Sequence, residues 1–213
     1  MRFARRVTGA LALGTATKLV LFPHRVDVAW DLDGTLITHQ RGRAEDAQHV
    51  YPGTRGTFSL YLRPSAPSVL KLLALAGNRQ VLFTAATQGY ADSILNALLP
   101  GLLPLRLYRD SLTVATSHGK DLSRVAALLP DSCLACTVLV DDQPRNRVGD
   151  QHFIYVRPWV YGAPEGTELW RAAAVILFAN LVGPQLAFAL LRGALAPPTK
   201  PASQEDSPSA KAG

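Results

Sequence analysis

VDVAWDLDGT, residues 26–35, decides the fold. Residues 26–30 form a short apolar stretch, the mark of a strand buried in a core. The stretch runs directly into Asp31-Leu32-Asp33-Gly34-Thr35. Two carboxylates and a turn-forming glycine at the end of a buried strand read as a loop at the edge of a sheet. Working outward, similar short apolar stretches recur at residues 58–62, 80–84, 105–108, 136–140 and 153–156. Between them, residues 65–76, 89–99 and 120–129 carry apolar side chains at helical spacing, with Gly77 and Pro130 as stops. Residues 39–57 are polar and rich in glycine and charge, and are predicted to be a loop or small insertion. Strands alternating with helices predict an α/β fold, a parallel sheet covered by helices on both faces.

In such sheets ligands bind outside the carboxyl ends of the strands. Asp31 and Asp33 follow the first strand, Thr84 closes the one at 80–84, and Asp141 and Asp142 close the one at 136–140. Lys120 opens a helix between them. Carboxylates gathered on one edge repel each other and are costly to desolvate, and a hard divalent cation relieves both. Magnesium takes carboxylate, water and phosphate oxygens, so the pattern implies an acidic metal site facing a phosphate. Asp31 is the candidate nucleophile and Asp33 the candidate acid/base. Thr84 is placed to hydrogen-bond a phosphoryl oxygen, Lys120 to offset charge on the equatorial oxygens, and Asp142, with Asp141, to complete the metal shell.

The chain has 213 residues, of which 48% are hydrophobic and 18% charged, so a globular fold is expected. Its formal net charge of +6 favours an anionic partner. No basic run with interleaved aromatics is present, which argues against nucleic acid. Much of the charge falls in the N-terminal extension. Residues 1–25 contain Arg2, Arg5, Arg6, Lys18 and Arg25 without any acid, a composition like that of a mitochondrial transit peptide. A secretory signal and a plain surface helix are the other readings. Residues 193–213 form a tail rich in Pro, Ser, Ala and Lys that is expected to be disordered, leaving 26–192 as the domain. Residues 172–191 are uncharged over 20 positions, long enough to span a bilayer, but Asn180, Gln185 and Gly183-Pro184 interrupt them. Two short buried helices are expected there, with membrane association the alternative. Cys133 and Cys136 precede a strand rather than a helix, so two small buried residues are expected in place of a redox or zinc pair.

Six stretches carry a resemblance: DLDGTL (31–36), YLRPSAPSVLKLL (61–73), VLFTAATQGYAD (81–92), LYRDS (107–111), GKDLSRV (119–125) and VLVDDQP (138–144). With these, the chain resembles the phosphatases of the RNA polymerase II C-terminal domain, the NLI-interacting-factor type, within the haloacid dehalogenase superfamily. The resemblance spans about residues 26–170. It implies a haloacid-dehalogenase-like Rossmannoid fold and a magnesium-dependent phosphatase acting on phosphoserine or phosphothreonine in proteins. By the resemblance Asp31 is nucleophile, Asp33 acid/base, and Thr84 and Lys120 hold the phosphate. Magnesium is held by Asp31, the Asp33 carbonyl and Asp142, supported by Asp141. Arg109 falls where the family carries a substrate-binding arginine. Gly34 stands where many members have Glu, and Asp142 where many have Asn. A relative with the same domain is a presequence-binding receptor subunit of the mitochondrial inner-membrane translocase. That gives an alternative function and a mitochondrial location, against a nuclear or cytoplasmic one. Oligomeric state is left open.

Overall fold

The computed structural model describes residues 24–54, 56–113 and 119–197. Residues 1–23 of the expected targeting segment and 198–213 of the expected tail lie outside these. Strand β1 (Asp27–Trp30) is the centre of a five-stranded sheet. Its neighbours are β5 (Gln80–Phe83) and β7 (Thr137–Asp141), with β6 (Leu105–Leu107) and β8 (His152–Tyr155) at the edges. Every pairing is parallel, in the order β6-β5-β1-β7-β8.

Strands in such a sheet are apolar on both sides, and side chains alternate between the faces. Val28 and Trp30 of β1, Leu82 of β5, Val138 and Val140 of β7 and Ile154 of β8 enter one core. Helices α1 (Ala66–Leu75), α2 (Gln88–Leu98), α4 (Glu168–Val182) and α5 (Pro184–Leu195) contribute to that core. Ala29, Val81, Phe83, Leu139 and Phe153 enter the other core, with Leu122 and Val125 of α3 (Leu122–Leu128). The α/β architecture is therefore as expected from the sequence.

Residues 39–57 correct the expectation of a loop. They form most of a second, antiparallel sheet of β2 (Ile37–Arg41), β4 (Gly56–Leu62) and β3 (His49–Gly53), in the order β2-β4-β3. β2 and β3 are largely half-exposed or exposed, so they lack the apolar alternation that marks a strand in sequence.

Residues 172–191 divide between α4 and α5 at Gly183, whose φ of +94° breaks the helix and which Pro184 follows at the start of α5. Among the described residues no helix is long and apolar enough to cross a membrane. Asn180, the polar interruption in that stretch, is buried for a reason. Its Oδ1 accepts from Val26 N at 3.0 Å and from Asn78 Nδ2 at 3.1 Å, and its Nδ2 donates to Asn78 Oδ1 at 2.9 Å. The network ties α4 to the start of the central strand.

The cysteine expectation also needs correction. Cys133 is exposed rather than buried, and it forms a disulfide with Cys136 across the short 3-10 turn Leu134–Cys136 that leads into β7.

Candidate active site

The registers align the strand ends. Trp30 pairs with Leu82 on one side and Val140 on the other, so Asp31, Thr84, Asp141 and Asp142 emerge at one edge. Each strand end thus delivers a polar side chain to the same place. One carboxylate oxygen from each of Asp31, Asp141 and Asp142 lies within 4.8 Å of the others, and all three residues are buried.

Lys120 completes the cluster, though not from within a helix as expected. It sits one residue before Asp121, the residue that caps α3 by accepting from Ser123 N. Its backbone is clamped on both sides: its N–H donates to Asn146 O at 2.8 Å, and its carbonyl accepts from Gln151 Nε2 at 2.7 Å. That clamp drives a fully buried ammonium between Asp31 Oδ1 at 2.5 Å and Asp141 Oδ2 at 2.6 Å. Asp141 is further held by Asn146 Nδ2, 3.0 Å from each of its oxygens, and by Gln143 N at 2.7 Å. Its oxygens are saturated by protein donors, which fits a supporting role beneath Lys120.

Asp142 differs. Its Oδ2 accepts from Gln143 Nε2 at 2.8 Å, while its buried Oδ1 has no partner. Gly34 makes its position available: φ is +84°, and a Cβ there would come within 2.6 Å of the Asp142 carboxylate. The glycine noted as a departure from many family members is therefore sterically matched to Asp142.

Burial pushes the Asp31 carboxyl well above the usual carboxylate range, against the opposing pull of Lys120. Burial also raises Asp142. For Lys120, burial acts downward, but the charges of Asp31 and Asp141 outweigh it and hold the ammonium above its ordinary value. One ammonium against three carboxylates leaves two negative charges, the deficit a divalent cation balances. The oxygen-only donor set and the orphaned Asp142 Oδ1 fit magnesium, with Asp31 and Asp142 as the side chains that would hold it. Asp33 is not in this group through its side chain, which hydrogen-bonds Tyr90 instead.

A cavity of about 690 Å³ opens above the cluster. Asp31, Thr84 and Asp142 line its base, Asp33 and Tyr90 one side, and Arg109 and Arg145 belong to its exposed rim. Thr84 Oγ1 accepts from Ala86 N at 3.1 Å, so its own O–H remains available to a ligand. Arg109, anchored by Nε to Ala85 O at 2.8 Å, lines the cavity. The accessory sheet supplies His39, Tyr51 and Phe58. These, Tyr90 and Arg145 were not singled out in sequence. His39, Tyr51 and Phe58 reach the cavity through the antiparallel pairings of the accessory sheet, and only VLFTAATQGYAD hinted at Tyr90.

Residues 28–179 match the model of the family described as NLI interacting factor-like phosphatase. The structure of Fcp1, described as an essential RNA polymerase II CTD phosphatase, matches with a TM-score of 0.50 at 18% identity, covering 92% of this chain and 58% of that one. Fission yeast Fcp1, as an arginine-to-alanine variant bound to beryllium fluoride, matches with a TM-score of 0.50 at 16% identity, covering 88% of this chain and 58% of that one. An uncharacterized protein from Listeria monocytogenes serotype 4b gives a TM-score of 0.47 at 16% identity, covering 72% of this chain and 97% of that one. The chain thus spans 58% of the length of the Fcp1 chains it resembles. No curated protein matches it. With the family match running from β1 into α4, over a parallel sheet whose strand ends gather Asp31, Asp141 and Asp142, the chain belongs to the NLI interacting factor-like phosphatase family.

Proposed function

We propose that this chain is a magnesium-dependent protein serine/threonine phosphatase that works through an aspartyl-phosphate on Asp31. The observation that carries the reading is the placement of Asp31. It lies at the base of the cavity in a buried carboxylate cluster, with Lys120 fixing one oxygen and Asp33 two residues on. Lys120 holds Oδ1, which leaves Oδ2 to attack phosphorus. As the new O–P bond forms, the bond from phosphorus to the seryl or threonyl oxygen breaks, and Asp33 gives that oxygen a proton. Asp33 then takes a proton from water, the water attacks phosphorus, and inorganic phosphate leaves with Asp31 restored. Thr84 donates to a phosphoryl oxygen, and Lys120 offsets the charge that builds on the equatorial oxygens. Magnesium, when bound, acts as a Lewis acid that neutralises phosphoryl charge.

Arg109 and Arg145 at the rim, beside an aromatic wall of Tyr51 and Phe58, suit a phosphopeptide better than a small sugar phosphate. The presequence-binding alternative rests on the acid-free segment 1–25, of which residues 1–23 lie outside the described residues. Hydrolysis of a phosphoserine peptide with and without magnesium, wild type beside Asp31→Asn, tests the reading. Turnover that needs the metal and falls at least about 1,000-fold in the nearly isosteric variant is expected. Comparable turnover in Asp31→Asn overturns the assignment.

A further inference from the structure

Asp33 has two carboxyl oxygens, and only one is engaged. Tyr90 Oη donates to Oδ1 at 2.8 Å, and His39 Nδ1 stands 3.5 Å from the same atom. Among the described residues no donor reaches Oδ2. A carboxyl whose Oδ1 already accepts an O–H carries its own proton on the other oxygen. One phenol therefore does two things: it fixes the rotation of the carboxyl plane, and it places the transferable proton on Oδ2.

The phenol is itself held by the accessory sheet. Tyr51 of β3 meets the Tyr90 ring edge to face at 5.0 Å. His49 of β3 bonds Ser93 of α2 at 2.9 Å, three residues beyond Tyr90 on the same helix. On the far side, His39 of β2 packs edge to face against Phe58 of β4 at 5.6 Å.

We propose that Tyr90 is the positioning residue of the acid/base, holding Asp33 by its Oδ1 so that Oδ2 faces the leaving oxygen, with the three-stranded sheet as its support. The inference rests on the phosphatase reading above and adds a specific consequence. Protonation matters when the leaving group is a poor one, such as the alkoxide of serine, and little when it leaves readily as an anion, such as nitrophenolate. Loosening Asp33 therefore harms alkyl phosphates selectively.

Tyr90→Phe removes the hydroxyl and keeps the ring that packs on Tyr51. The test measures kcat/KM, which reports the first phosphoryl transfer, on a phosphoserine peptide and on p-nitrophenyl phosphate, with magnesium, in wild type and Tyr90→Phe. The expected result is a fall of about 10-fold or more on the peptide and of about 2-fold or less on the aryl ester. In an Asp33→Asn background, adding Tyr90→Phe is expected to cost nothing further, because Tyr90 acts through Asp33. Equal falls on both substrates, no fall on either, or a further loss beyond Asp33→Asn would each overturn the proposal. A wild type inactive on both substrates removes the phosphatase reading and this inference with it. Turnover by the wild type with an unchanged substrate ratio removes the inference alone.

Discussion

The two sheets meet at the cavity and hold their side chains in opposite ways. The carboxyl edge of the parallel sheet is fixed by burial and charge: Asp31, Lys120 and Asp141 are nearly or fully inaccessible and bonded to one another. The antiparallel sheet is half-exposed, and it meets the cavity through aromatic rings and single hydrogen bonds. The first arrangement suits groups that must not move during phosphoryl transfer. Under the proposed function, the second suits a wall that meets a peptide substrate while keeping Asp33 in line. Substitutions on the parallel edge should therefore act on stability and metal dependence together, and substitutions on the accessory sheet on substrate handling with small costs in stability.

The largest stability effect is expected for Lys120→Met. Removing the ammonium leaves Asp31 and Asp141 buried without their partner, which costs about 3–5 kcal/mol. Urea unfolding should show this loss, and added magnesium should recover part of it by binding the freed carboxylates. An unfolding midpoint unchanged from wild type would break the contrast between the two sheets. Gly34→Ala comes next. A positive φ and a Cβ that would lie 2.6 Å from Asp142 should cost about 1–3 kcal/mol and raise the magnesium concentration needed for half-maximal activity. On the other sheet, Phe58→Ala should cost only about 1 kcal/mol while raising KM for a phosphopeptide more than for p-nitrophenyl phosphate.

The smallest effect is expected at the outer edge of the parallel sheet. There His152 stacks on Phe188 at 4.4 Å, and burial holds its pKa below the ordinary value. Its neutral form is favoured in the fold. The stability it contributes is therefore complete above the unfolded value of about 6.5 and is lost as pH falls through the depressed folded value. His152→Phe should flatten the decline in thermal midpoint between about pH 7 and pH 5.

The same contrast explains what could be read from the sequence. β1, β5, β7 and β8 are buried in parallel pairings, so each shows as a short apolar run, and after β1, β5 and β7 the polar residue that follows marks the site edge. Asp31, Thr84, Asp141 and Asp142 were legible for that reason. β2 and β3 were not, because apart from Ile37 their residues are half-exposed or exposed and show no apolar alternation. Lys120 was legible as a residue but not as a backbone position, since its clamp comes from Asn146 and Gln151, distant in sequence. Tyr90 reaches Asp33 across 57 positions, a contact no local pattern announces.

The central claim is that Asp31 carries the phosphoryl group, and acid quenching during turnover of a phosphoserine peptide, followed by borohydride reduction and peptide mass spectrometry, tests it most directly. Reduction of an aspartyl-phosphate leaves homoserine in place of the aspartate. Homoserine is expected at position 31 alone, in a magnesium-dependent yield that rises when water attack is slowed. Turnover without any homoserine at that position, or with the modification at another aspartate, would contradict it.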